Sequence, residues 1–386
     1  MTPVVMAAAP MDTRLVVIIL RGAMDGLDVI QPYGDANFAQ LRPDLPFGEA
    51  AGASDLDGFF ALNPHFSGLK SMYDAGEFGA VHAVSTPYRD KRSHFDGQDL
   101  LEAGVPDMPE GRAGLRDGWL NRMLQIMPEL EPEVAYAIGR DQMLVLSGQA
   151  RTARWAPDTQ LRISPNARAL LNVVHHDDPL FRDASDDAIA IAEQIAQDEL
   201  AAEGMAEDPE QMAAMMQLAQ PNGQAVRVAE FAASRLMRDT RIASFSISGW
   251  DTHARQDRNL KRAAQPLVDT LLTLRAQLGP VWGKTAVLCM TEFGRTARQN
   301  GNRGTDHGTG GALLYAGGAL RGGQVLGQWP GVGDADLYDN RDLMPTRDVR
   351  AMTAWTMRSL IGLDRTALEQ VVFPGLDMGA APRLIL

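Results

Sequence analysis

The sequence predicts an α/β fold, a mostly parallel central sheet with helices on both faces. Three observations carry this. Residues 14–20 (RLVVIIL) form a continuous β-branched run, the mark of a strand buried on both faces. Further apolar runs alternate with amphipathic segments of helical period. Short polar clusters flank these runs, where an open α/β sheet gathers its chemistry.

Taken in order, the first run ends in Arg21-Gly22-Ala23-Met24-Asp25-Gly26-Leu27-Asp28. Its glycines release the backbone and place Asp25 where a strand-end ligand sits. A long loop leads to a helix over 64–75 and a strand over 79–85. Ser93 caps a helix over 93–103, with Asp96 at its third position and Gly104 as terminator. Segments 134–138 and 143–147 read as a strand pair around the turn Gly139-Arg140-Asp141. Runs 242–247, 285–290 and 312–316 read as buried strands, and 226–238 and 256–278 as long helices. The tail, 346–361, reads as a helix with Thr346 as N-cap and Asp348 in its first turn. Segment 183–220 is rich in Ala, Glu, Asp, Gln and Met, and reads as a helical insertion, either a mobile lid or a surface helix pair. The expected organisation is one domain over 11–386 carrying that insertion, preceded by an arm over 1–10.

The 386 residues suffice for a sizeable core, and 45% apolar with 22% charged content is ordinary for a globular chain. A net charge of −13 argues against nucleic acid or an anionic membrane as the main partner, since both need a basic face. No apolar run is long enough to span a membrane. The single cysteine, Cys289, lies inside an apolar run, which excludes an intrachain disulfide and a cysteine-based zinc site. Val4-Val5-Met6-Ala7-Ala8-Ala9-Pro10 is like the tail of a cleaved secretory signal, or else a short disordered arm, so a periplasmic or secreted protein is expected, with a cytoplasmic one as the alternative.

The clusters Gly249-Trp250-Asp251-Thr252-His253 and Thr291-Glu292-Phe293-Gly294-Arg295-Thr296 follow strand runs. The glycine-rich cluster Gly304-Thr305-Asp306-His307-Gly308-Thr309-Gly310-Gly311 precedes one. Asp251 and His253 are two apart, so in an extended segment both point to one side. With Asp25, Glu292 and His307 they form a candidate ligand set whose donors suit zinc or manganese. Taken singly, each cluster also fits a structural role: a chance Asp-x-His, a Glu292–Arg295 salt bridge bracing a turn, an Asp306-oriented histidine. Ser93, at a helix N-terminus, is a candidate nucleophile, because the helix dipole and free amides there favour an anion. It fits equally as a plain N-cap. Arg89, Lys91 or Arg92 in the adjoining basic run, and Arg295, are candidates to hold a substrate's oxygens.

Six ordered motifs carry a family resemblance. They are Leu20-Arg21-Gly22-Ala23-Met24-Asp25-Gly26-Leu27, Ser93-His94-Phe95-Asp96, the cluster at 249–253, the cluster at 291–296, Asp306-His307-Gly308 and Asp342-Leu343-Met344-Pro345-Thr346. Together they resemble the bacterial domain-of-unknown-function 1501 family, which is similar to the alkaline phosphatase and sulfatase superfamily. The resemblance implies an alkaline phosphatase-like fold. It implies Asp25 as a ligand after the first strand, Ser93 as nucleophile, Asp251 and His253 as a ligand pair, and His307 as the last ligand. Glu292 would replace the aspartate of an Asp-His pair, with Phe293 standing where that pair's histidine would be, so at most one tightly bound ion is expected. Ser85 opens a Ser-x-Pro-x-Arg match to the core of the sulfatase activation motif, and is a second serine to weigh. The family's usual twin-arginine signal is not visible. The implied function is an exported metal-dependent hydrolase or transferase acting on a small-molecule or glycan phosphate or sulfate ester. The alternative is a non-catalytic periplasmic binding or assembly protein that keeps the fold.

Overall fold

The structure, a computed structural model, describes residues 12–89, 91–107, 117–127, 131–157, 221–382 and 384. The expected arm over 1–10 and insertion over 183–220 lie outside the described residues. The chain divides into two compact units, Met1–Trp155 with Ala225–Leu386, and Ala156–Gln224. The sheet and the site described below belong to the first.

β1 (Arg14–Arg21) opens the main sheet, while β2 (Ile30–Gln31), β3 (Ser54–Asp55) and β4 (Ala61–Leu62) form a small antiparallel sheet. The main sheet continues with β5 (Phe78–Ser85), β6 (Ala135–Ile138), β7 (Ala153–Trp155) and β8 (Ile242–Ser248). It is completed by β9 (Thr285–Met290), β10 (Gly311–Ala316), β11 (Val325–Leu326) and β12 (Arg347–Asp348). Its order is β11-β5-β10-β9-β1-β8-β6-β7, with β12 also paired to β5. β1 lies centrally, with Leu15 opposite both Ile242 and Ala286, and its burial from Arg14 to Leu20 explains its unbroken apolar run.

The helices placed around the sheet include α1 (Gly26–Val29), α2 (Phe38–Leu41), α3 (Lys70–Asp74), α4 (His94–Ala103) and α5 (Trp119–Gln125). They continue with α6 (Pro221–Leu236), α7 (Gln256–Leu278) and α8 (Val349–Ile361). Leu15, Val17 and Ile19 of β1 share a core with Leu101, Trp119, Met352, Met357 and Phe373, so α4, α5 and α8 cover that layer. α7 buries Leu260, Ala263, Leu267, Leu271, Leu274 and Leu278, a stripe at three- and four-residue spacing, and packs on β8. Cys289 is buried in β9, and none of the described helices is long and apolar enough to cross a membrane.

Every pairing in the main sheet is parallel except those of β10, which runs against both β5 and β9. The carboxyl ends of β1, β5, β8 and β9 therefore meet the amino end of β10 at one edge. That reversal gathers the cluster preceding a strand with the two that follow strands.

Several expected elements differ. Residues 64–75 begin as a 3-10 turn, Pro64–Leu69, and only then become α3. Leu144–Leu146 is a 3-10 turn, not a strand. Both edges of β6 are filled by parallel partners, β7 and β8, and the turn is tied instead to α5 through Asn121 Nδ2 and the Leu146 carbonyl, 2.8 Å apart. The N-cap of α8 is Asp348, which accepts from the Arg350 amide at 2.8 Å, whereas Thr346 donates to the Gln328 carbonyl.

Asp25 also departs from expectation. Its carboxylate caps α1, accepting from the amides of Leu27 and Asp28, and takes a two-pronged ion pair from Arg42 at 2.8 and 3.1 Å. Gln256 Nε2 donates to it at 2.7 Å. Burial opposes its charge, but Arg42, Gln256 and Arg295 together outweigh burial and hold its carboxyl below the usual range. These bonds withdraw Asp25 from the expected ligand set and make it the anchor beneath the site. Arg42→Leu should therefore leave a buried charge unpaired and cost about 3–5 kcal/mol in urea unfolding. A loss under about 1 kcal/mol would contradict this role.

Candidate metal centre

Two glycines let the edge loops close on one another. Gly22 has φ 116°, and a Cβ there would lie 2.7 Å from the Asp251 amide nitrogen. A Cβ on Gly294 would lie 1.8 Å from the Gly310 carbonyl oxygen, so only glycine lets the loop after β9 touch the segment entering β10.

The side chains of Asp251, His253 and His307 converge there. His253 Nε2 and His307 Nε2 lie 3.0 and 3.2 Å from Asp251 Oδ1, and 3.0 Å from each other. His94, at the first position of α4, brings its Nε2 to 3.4 Å from Asp251 Oδ2. That nitrogen is buried and makes no hydrogen bond.

The other nitrogen of each ring is already satisfied. His94 Nδ1 donates to Glu292 Oε1 at 2.8 Å, His253 Nδ1 to Asp306 Oδ1 at 3.1 Å, and His307 Nδ1 to the Arg92 carbonyl at 2.9 Å. Those three oxygens can only accept, so each Nδ1 carries a proton and each ring turns its Nε2 inward. A divalent cation among them would take each Nε2 lone pair and displace any proton there. A four-coordinate ion with bonds of about 2.0–2.1 Å sets its donors roughly 3.3 Å apart, close to the separations seen here. Histidines oriented by carboxylates or carbonyls through the far nitrogen are the usual support of a metal site. The residues present therefore fit a divalent ion.

Charge follows the same geometry. Burial works against ionised Asp251, but His307, His94 and Arg295 beside it together outweigh burial and hold its carboxyl far below the usual range. Glu292 is fully buried; His94 and Gln98 overcome that burial and keep it ionised. Asp251 and Glu292, on either side of His94, push its imidazole up to about 9.

The expected residues thus separate. Asp251, His253 and His307 come together as donors. Glu292 does not join them: its Oε1 is committed to His94, Gln98 Nε2 and the Gly22 amide, and it acts by orienting His94. Phe293 is buried with its ring 5.2 Å from His94 and 5.2 Å from His307, walling the cluster. Arg295 is bonded to Asp251 Oδ1 at 2.5 Å and to Thr305, so it positions Asp251, and its burial keeps it from facing a substrate. Arg89 is turned back on its own loop, bonding Ser85 Oγ and the carbonyls of Thr86 and Tyr88. Ser85 is buried under that bond. Ser93 caps α4 as expected, accepting from the Asp96 amide at 3.4 Å.

His94 was not among the expected ligands. Its adjacency to Ser93 in the motif 93–96 was the available signal, but only the folded helix shows that position 94 faces the cluster. Its raised pKa has a consequence for the metal-free protein. A histidine stabilised in its charged form contributes stability that is complete below about 6.5 and lost as pH rises through about 9. Metal-stripped wild type should therefore lose its stability advantage over His94→Gln across that window. An advantage that stays constant with pH would refute the His94 environment described here.

The profile of the family described as Protein of unknown function (DUF1501) matches residues 65–372. No curated protein matches the sequence. Among solved structures, the chain is similar to a protein in the alkaline phosphatase superfamily from Vibrio parahaemolyticus. Identity there is 11% and the TM-score 0.40, over 98% of this chain and 75% of that one. It is also similar to Ps i-CgsB in complex with k-i-k-neocarrahexaose, at 10% identity and TM-score 0.37, over 91% and 72% of the two chains. A TAB5 alkaline phosphatase mutant with Mg bound in the M3 site matches at 11% identity and TM-score 0.30, over 80% and 92%. The family match spans well over half of the sequence, and the chain belongs to the DUF1501 family.

Proposed function

We propose that this chain is a metal-dependent hydrolase or transferase of phosphate or sulfate monoesters, with a small-molecule or glycan alcohol as the esterified group. His94, Asp251 and His307 would hold the ion, with His253, 3.0 Å from both Asp251 Oδ1 and His307 Nε2, as a further donor. The observation that carries the reading is the inward convergence of three Nε2 atoms whose rings are each held by a satisfied Nδ1. Mixed imidazole and carboxylate donors suit zinc or manganese. When bound, such an ion polarises the ester and neutralises charge developing on its oxygens.

The chain's own groups supply the rest. Glu292, Asp306 and the Arg92 carbonyl keep the rings in register, and Arg295 keeps Asp251 ionised and aimed. Ser93 stands one residue before His94, where the free amides of α4 favour negative charge. In this reading its Oγ attacks phosphorus or sulfur, the ester P–O or S–O bond breaks, and the serine proton passes to the departing alcohol. Water then cleaves the seryl ester, releasing phosphate or sulfate and restoring the hydroxyl.

Two measurements test this. Elemental analysis after mild dialysis at neutral pH should find one divalent ion per chain. Two ions would contradict the space-filling role of Phe293, and none under metal-replete conditions would favour the non-catalytic binding or assembly protein. Ser93→Ala should lower hydrolysis of a phosphate or sulfate monoester by about 100-fold or more. Its stability should fall by only about 1 kcal/mol, from the lost cap. Full activity in that variant would remove Ser93 from the chemistry.

A further inference from the structure

An anionic ester needs positive groups at its binding site, and in a chain of net charge −13 these must be local. Most guanidinium groups near the centre are committed. Arg89 bonds its own loop, Arg295 holds Asp251 and Thr305, and Arg42 holds Asp25. Arg341 donates to the His307 carbonyl and to Asp342, and Arg298 pairs with Asp334.

Arg92 differs. Its side chain is exposed, and its guanidinium makes no hydrogen bond or ion pair with any of the described residues. Its backbone, by contrast, is fixed. The carbonyl accepts from His307 Nδ1 at 2.9 Å, and a φ of 53° holds it in the left-handed region that side-chain-bearing residues adopt at a cost. Arg92 directly precedes Ser93 and His94. The root of the side chain is thus held at the rim of the ligand cluster, while its planar head, whose charge favours ionised Asp342, keeps five N–H donors free of hydrogen bonds. That head matches the oxygens of a phosphate or sulfate group in a two-pronged bond.

We propose that Arg92 is the substrate-anion clamp, gripping non-bridging oxygens of a phosphate or sulfate monoester while its carbonyl orients His307. The proposal rests on the hydrolase reading above and replaces Arg89 and Arg295 in the role expected of them.

Calorimetric titration of inorganic phosphate, and separately of inorganic sulfate, into the metal-loaded protein provides the test. Wild type should bind at least one of the two. Arg92→Met should weaken that binding tenfold or more, with metal content and thermal midpoint unchanged, and Arg92→Lys should recover part of the loss. If Arg92→Met binds the anion as tightly as wild type, the clamp is refuted and the hydrolase reading survives. If Arg92→Met loses its metal, the residue acts only through His307 and the clamp is again refuted. If wild type binds neither anion, both the clamp and the anionic-ester reading fall.

Discussion

The ion pair between Asp25 and Arg42 underlies the working edge of this sheet. Both side chains are almost wholly buried, and neither charge is tolerable there alone. Their remaining bonding capacity stitches the edge loops together. Arg42 donates to the carbonyls of Thr296 and Ala297, beyond β9. Gln256, at the head of α7, bridges Asp25 and Asp28 at 2.7 Å each and accepts from Thr252 and Thr305 at 2.8 Å each. The loops after β1, β8 and β9 and the segment before β10 thus share one buried polar network. Two carboxylates in it are pushed in opposite directions. Arg42, Gln256 and Arg295 together keep Asp25 ionised against its burial, whereas burial first, and then the charge of Asp25, raise Asp28.

The cluster of His94, Asp251, His253 and His307 stands on that network. Arg295 joins the two layers, with its inner nitrogens on Thr305 and its outer one on Asp251. Rigidity follows from complete satisfaction. Asp306 is held by Asn300 as well as His253, and Glu292 by Gln98, Thr291 and the Gly22 amide as well as His94. A donor set pre-aimed in this way needs little reorganisation to take a cation. The motif at 342–346 serves the same end. Asp342 accepts from Thr309 Oγ1 at 2.9 Å, and Arg341 beside it donates to the His307 carbonyl at 2.9 Å.

Much of the architecture was legible because it depends on local pattern. The β-branched run of β1, the uninterrupted period of α7, and the Ser93 and Gly104 boundaries of α4 each follow from nearby residues. Pattern misled where partners at long range decided the outcome. Residues 143–147 are as apolar as a strand, but both edges of β6 were already taken by other strands. Thr346 and Asp348 are both plausible caps, and the Gln328 carbonyl claims the former.

The candidate site divides along the same line. The sequence by itself determined the α/β class, the sheet-end position of the clusters, and Asp251, His253 and His307 as donor-capable residues, because these rest on residue type and periodicity. Only the tertiary structure decided the rest. The reversed direction of β10 brought His307 to the edge occupied by Asp251. Arg42, distant from any motif, drew Asp25 into a structural pair. Burial turned Glu292 from a ligand into the support of His94, and made Arg295 a brace for Asp251. In each case two side chains far apart in the chain compete for, or share, one buried partner. That contest is settled by distance and desolvation in the folded core, and local spacing does not encode it.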